Sequence, residues 1–67
     1  MRKTELEKHL LDINNAKIPP VVMKKFWEFK NDLGTKPLGI SFVKGIYYIV
    51  SPADDNFILW YTNMEAF

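Results

Sequence analysis

The chain has 67 residues and no cysteine. At this length folding buries only about 60% of the unfolded surface, so we expect one domain with a thin core and exclude disulfide staples, cysteine-based zinc sites and a thiol nucleophile. An apolar fraction of 48% and a charged fraction of 25% argue against a disordered linker, and the lack of cysteine favours a cytoplasmic protein. No apolar run approaches the roughly 20 residues of a membrane span, and no export signal is expected.

Charge is distributed unevenly, although the formal net charge is only +1. Residues 17–44 contain six lysines against two acids, whereas residues 45–67 contain three acids and no base. Two interpretations remain open. Either the two segments neutralise each other across the fold, or the basic segment attracts an acidic partner.

The first predicted helix begins at residues 4–7, whose sequence TELE matches a capping box. Leu6, Leu10 and Ile13 fall on one face of that helix, and two asparagines then offer an end. Leu11 lies far from this apolar stripe. It either contacts a second surface or is a lone exposed leucine.

The second predicted helix begins at Pro20, because proline suits the first helical position. Met23 and Trp27 lie beside its apolar stripe and are expected to contact the first helix. The stripe itself repeats at helical spacing, and a glycine follows as the C-terminal signal: Val22, Phe26, Phe29, Leu33 and Gly34.

The remaining third of the chain predicts strands at 39–43, 46–50 and 57–62, which are rich in β-branched and aromatic residues. Lys44-Gly45 fits a two-residue hairpin turn, and one long kinked strand over 39–51 is the alternative. The predicted fold is therefore a single α+β domain over residues 1–67. Two N-terminal helices pack on a small three-stranded antiparallel β-meander in the order α-α-β-β-β, with both helices on one face as the simplest arrangement.

Both faces of this sheet carry apolar residues, whereas a sheet with one face in water alternates apolar with polar residues. A patch containing Tyr47, Ile49, Ile58 and Trp60, or its complement, is therefore left for another layer or a partner. The alternatives are a C-terminal segment 63–67 that folds back, a first helix on the opposite side that makes three layers, and homodimerisation.

No pattern in the sequence indicates catalysis, a metal or a cofactor. His9 is the only histidine and is expected to pair with Glu5 or Asp12 on the surface. The segment Asp54-Asp55-Asn56 lacks the spacing of a calcium loop and is predicted to be a turn. Because no nucleophile motif or phosphate loop is present either, we do not expect an enzyme.

These observations favour a protein-binding module, such as an inhibitor, adaptor or regulator, of the short kind that phages and mobile elements encode. Its partner is expected to have an acidic surface. A DNA- or RNA-binding regulator using the basic second helix is the alternative, and a structural homodimer or subunit is the third reading. If Lys24 and Lys25 instead face Asp54 and Asp55, the basic segment is neutralised internally. The predicted partner-binding residues are Tyr47, Ile49, Ile58, Trp60, Trp27, Lys24, Lys25 and Lys30.

Overall fold

The structure, a computed structural model, describes residues 2–32 and 36–63, with Asn63 described by its backbone alone. Two helices precede three strands: α1 (Lys3–Lys8), α2 (Pro20–Asn31), β1 (Gly39–Val43), β2 (Ile46–Val50) and β3 (Ile58–Asn63). The strands form one antiparallel sheet in the order β1-β2-β3. The predicted α+β class and the α-α-β-β-β order are confirmed. The segment 63–67, which one alternative folds back over the sheet, lies, apart from Asn63, outside the described residues.

Helix α1 is shorter than predicted and starts one residue earlier. Its N-cap residue is Arg2, no side chain caps it, and the capping box predicted at Thr4 is therefore not formed. The helix ends at Lys8, well before the predicted end of the apolar stripe at Ile13.

The chain leaves α1 because residues 9–11 pair with the outer edge of β1. Leu10 forms an antiparallel bridge with Ser41. An extended segment forms hydrogen bonds with the outward backbone N–H and carbonyl groups of β1, which a longer helix would leave unpaired. Two backbone hydrogen bonds hold the segment, from the Leu11 N–H to the Ile40 oxygen (2.8 Å) and from the Phe42 N–H to the His9 oxygen (3.3 Å).

Helix α2 agrees with the sequence prediction at its start. Pro20 occupies the first helical position after Pro19, and Val22 and Phe26 are buried. The helix ends at Asn31, where the Asp32 N–H bonds to the Phe29 oxygen. The predicted terminal residues Leu33 and Gly34 lie outside the described part of the chain.

Paired residues of neighbouring strands share a face of the sheet, so the strand register defines two faces. We call them the α2 face and the α1 face, after the helix whose buried residues cluster with each. The α2 face carries Ile40, Phe42, Tyr47, Ile49, Trp60 and Thr62; the α1 face carries Ser41, Val43, Ile46, Tyr48, Val50 and Tyr61.

The α2-face cluster contains the four buried residues Val22, Phe26, Ile40 and Ile49. Leu11 packs against it, which selects the first of the two interpretations of this residue. Met23 and Phe29 also pack against this cluster, to which α1 contributes no buried residue. Met23 therefore packs on the α2 face, contrary to the expected contact with the first helix.

The α1-face cluster contains Leu6, Val43 and Val50. The helices thus contribute buried residues on opposite sides of the sheet, and this corresponds to the three-layer alternative rather than to two helices on one face. The crossing occurs at residues 9–11, where successive side chains of an extended segment point to opposite faces. Leu10 shares a face with its bridge partner Ser41, and Leu11 reaches the other side.

The two connections of the sheet follow local turn chemistry. Lys44 and Gly45 have φ of 51° and 81°, as a mirror-image two-residue hairpin turn requires, so the long kinked strand is excluded. The loop after β2 is closed by a 2.7 Å hydrogen bond from the Ser51 N–H to the Phe57 oxygen. Asn56 adopts a φ of 55° there, a conformation that asparagine tolerates better than most residues.

Candidate protein-binding surface

The four sheet residues predicted to form a surface patch are separated by the fold. Ile49 is fully buried in the α2-face cluster, so it is a core residue in this structure. Tyr47 and Trp60 are half-buried against the same cluster, whereas Ile58 packs half-buried against the α1-face cluster. Because each face already has a helix on it, much of the two-sided apolar character of the strands is satisfied within the fold.

Three of the described aromatic residues are instead exposed: Trp27 at 46%, Phe42 at 39% and Tyr61 at 62%. Sequence reasoning selected Trp27 and missed the other two. Phe42 lies on β1, an outer strand of the sheet, on the α2 face. Tyr61 lies on β3, an outer strand of the sheet. Both residues lie on outer strands, and periodicity within a strand carries no information about strand order.

Trp27 is held in a defined position on α2. Its ring meets that of the buried Phe26 edge to face, with centroids 5.8 Å apart and an interplanar angle of 77°. The Lys30 Nζ lies 4.8 Å from the Trp27 ring centroid, within the range of a cation–π contact. The helix therefore presents an indole with a fixed orientation and a positive charge directly beside it.

The lysines of α2 are only partly neutralised. Lys25 pairs with Glu28 at 3.4 Å. Lys24 is exposed and forms no ion pair within residues 2–32 and 36–62. Lys30 likewise directs its charge to the Trp27 ring rather than to a described carboxylate.

The acidic loop after β2 is bound to α1, not to α2. Lys3 Nζ lies 3.2 Å from the Asp54 carboxylate and 3.8 Å from that of Glu7, and it also donates to the Pro52 carbonyl. The expected pairing of Lys24 and Lys25 with Asp54 is therefore absent from the described ion pairs. Of the α2 lysines, Lys24 forms no ion pair within residues 2–32 and 36–62.

Two further aromatic pairs lie on the sheet, one on each face. The rings of Phe42 and Tyr47 are 4.5 Å apart on the α2 face, near the hairpin. On the α1 face, Tyr48 and Tyr61 stack with centroids 5.9 Å apart and an interplanar angle of 29°. Both pairs keep rigid aromatic surface partly accessible, a property that protein interfaces use.

Several other polar residues have structural roles. Ser41 is buried and donates to the Leu6 carbonyl at 2.6 Å. The Ser51 hydroxyl accepts the Ala53 N–H at 3.1 Å. The Asp12 carboxylate accepts from the backbone N–H of Asn14 and from the Asn15 amide, so it stabilises a turn instead of pairing with His9. Asp55 and Asn56 belong to the loop, as predicted.

Within the described ranges, no group of three histidine, aspartate or glutamate side chains is placed to hold a metal ion. In the same part of the chain, neither helix has the length and apolar character needed to cross a bilayer. Comparison of the chain with protein-family models, with curated proteins and with solved structures finds no match.

Proposed function

We propose that this chain is a small non-catalytic protein-binding module, with the role of an inhibitor or adaptor, that binds an acidic partner through Trp27 and the lysines around it. The supporting observation is the exposed Trp27 ring, at 46%, with Lys30 positioned over it. Tryptophan is strongly enriched among residues that dominate binding energy, and a large indole left in water gains most when a partner covers it.

The fixed geometry of Trp27 favours binding because little side-chain freedom is lost on association. The Phe26 ring holds it from one side and Lys30 from another. Immobilising a free side chain costs about 0.5–1.5 kcal/mol, and a side chain already held avoids part of that cost. Phe42 and Tyr47 provide a second partly exposed aromatic surface on the α2 face of the sheet.

The lysines have a separate role, which is to guide the encounter. Lys24 and Lys30 are exposed on the same helix as Trp27, and no carboxylate within residues 2–32 and 36–62 pairs with them. Charges of one sign raise the association rate with an oppositely charged surface. The proposal also takes α1 and α2 as the two outer layers of one packed unit, so that the outward side of α2 is available to the partner.

The test is affinity capture with tagged wild-type chain, compared with Trp27→Ala. The variant is expected to lose the captured partner, because truncation of a central anchor costs about 2 kcal/mol or more. Leu38→Ala is the matched control, because Leu38 is an apolar side chain of nearly the same exposure, 45%, outside α2. Equal capture by wild type and by folded Trp27→Ala would contradict the proposal.

A second candidate, a DNA- or RNA-binding regulator, is supported by the same exposed lysines of α2. Phosphate contacts would make the logarithm of affinity fall steeply with the logarithm of salt concentration. Base reading is less favoured because residues 17–44 contain no arginine. Anisotropy of labelled DNA and RNA oligonucleotides at low salt decides the point, since no binding there removes this candidate.

A further inference from the structure

The two outer edges of the sheet differ among the described residues. Residues 9–11 cover the edge of β1 with backbone hydrogen bonds. No described segment pairs with the outer edge of β3. An uncovered strand edge presents backbone donors and acceptors that bind another strand readily.

The hairpin geometry identifies which groups of β3 point outward. A two-residue turn makes Val43 and Ile46 a hydrogen-bonded pair, and such pairs then alternate along the strands. Tyr47 therefore directs its backbone groups to Thr62, and the N–H and carbonyl of Tyr61 point away from the sheet. The outward bonds observed at Ile40 and Phe42 on the opposite edge agree with this alternation.

Strand β3 lacks most of the features that usually protect an edge. Its sequence, ILWYTN, has no charged residue and no proline. Tyr61 is 62% exposed at its centre. One irregularity of register, opposite Ile49 and Val50, affects only the beginning of the strand. The rest of the strand is free to pair.

We propose that the edge of β3 binds β3 of a second copy of this chain, antiparallel, about a two-fold axis at Tyr61. The two Tyr61 residues then form a hydrogen-bonded pair, each donating its N–H to the other's carbonyl. Their side chains meet on the α1 face, where each already stacks on Tyr48. The pairing therefore makes a continuous row of four tyrosine rings across the junction, a favourable cross-strand arrangement.

The charges described around β3 favour a second copy in this orientation. Lys44 lies in the hairpin, at the end of the sheet where Ile46 pairs with Asn63. Asp55 is exposed in the loop before β3, at the opposite end. Antiparallel pairing places the Lys44 hairpin of one copy and the Asp55 loop of the other at the same end of the joined sheet, and the uncharged β3 strands between them bring no like charges together.

This dimer uses β3 and the α1 face, whereas the proposed partner surface is on α2. The two proposals therefore succeed or fail separately. Light scattering over a concentration series is expected to show a mass of twice 7.9 kDa that falls to 7.9 kDa on dilution. A mass of 7.9 kDa at every concentration overturns the dimer and leaves the α2 surface untouched.

Tyr61→Lys is expected to weaken the dimer at least tenfold, because it sets two like charges opposite each other at the axis. Phe42→Lys is the control, since it introduces the same charge at an exposed aromatic on the covered edge, and it is expected to leave the dimer intact. A dimer that persists in Tyr61→Lys, or that is lost only in Phe42→Lys, overturns the proposal.

A single cysteine gives a second test that does not depend on the lysine variant. The chain has no cysteine, so in Tyr61→Cys any disulfide joins two copies. Hydrogen-bonded antiparallel pairs have Cα atoms about 5.5 Å apart, within disulfide range. Under mild oxidation Tyr61→Cys is expected to cross-link much faster than Phe42→Cys. Equal rates, or faster linking at residue 42, overturn the proposed axis.

Discussion

The two edges of the small sheet differ in whether their outward backbone groups are hydrogen-bonded by described residues. At β1, the helix ends at Lys8 instead of continuing to Ile13, and residues 9–11 pair with the strand. At β3, no described residue does the same, and the uncharged strand retains outward groups at Tyr61. One edge is thus closed by the fold, whereas no described segment closes the other, where we propose that a second copy binds.

The closed edge depends on one buried anchor. Leu6 is fully buried between Val43 and Val50, and its carbonyl accepts the hydroxyl of Ser41. A helix of six residues has little stability of its own, so α1 is held mainly by these contacts. The pairing of residues 9–11 with β1 therefore depends on the burial of Leu6.

The largest expected effect tests that anchor. Leu6→Ala should lower the free energy of unfolding by about 2–5 kcal/mol, the usual cost of a cavity at a buried leucine. Leu10→Ala, the same change four residues later, should cost less than about 1 kcal/mol because Leu10 is 37% exposed. Urea denaturation at low protein concentration measures both. Equal losses would mean that α1 continues through Leu10, as the sequence alone predicted.

A medium effect compares the edges directly by placing proline at an outward N–H on each. Phe42→Pro removes the hydrogen bond to the His9 carbonyl, whereas Tyr61→Pro removes an N–H with no acceptor in the described part of the chain. Each change also removes one aromatic pair. Phe42→Pro is therefore expected to destabilise the monomer by about 1 kcal/mol more, the net value of one hydrogen bond.

Thermal melts of dilute protein measure this difference, with circular dichroism confirming that both variants retain the sheet. If Tyr61→Pro is the more destabilising change, the outer edge of β3 is already bonded within one copy. Such a result would contradict both the contrast between the edges and the proposed dimer.

The sequence predicted α2 well and α1 poorly, for a physical reason. Pro20, Val22 and Phe26 carry helical signals that the fold does not oppose. The stripe of Leu6, Leu10 and Ile13 is equally periodic, but its helical continuation competes with unsatisfied groups of β1 some 30 positions later in the chain. The spacing of apolar residues within the first segment contains no information about that competition.

The candidate surface was likewise predicted from the sequence only in part. The sequence selected Trp27 as a partner-binding residue, but it also placed Trp27 against the first helix, so its exposure was not predicted. The exposure of Tyr61 depends on β3 being an outer strand, and the burial of Ile49 on β2 being central with a helix over it. Both depend on the order of strands and layers, which no single segment specifies.

The smallest expected effect concerns the contact that joins the covering segment to β1. A Cβ built on Gly39 would lie 3.1 Å from the Leu10 Cδ2, so the leucine must shift by a few tenths of an ångström to admit it. Alanine is otherwise favoured over glycine within a strand, because glycine loses more conformational freedom on folding. Gly39→Ala is therefore expected to be more favourable in a Leu10→Ala background than in the wild type.

A double-mutant cycle by urea denaturation should give a coupling of about 0.5 kcal/mol between the two positions, at the lower end for residues in contact. The sign of the coupling free energy is the decisive result. Removing the Leu10 side chain makes Gly39→Ala more favourable only if that side chain lies over Gly39. Zero coupling would mean that Leu10 is held away from β1, and that residues 9–11 cover the edge less closely than their hydrogen bonds indicate. The edge of β1 would then be covered less completely, and the difference between the edges of β1 and β3 would be smaller than we infer.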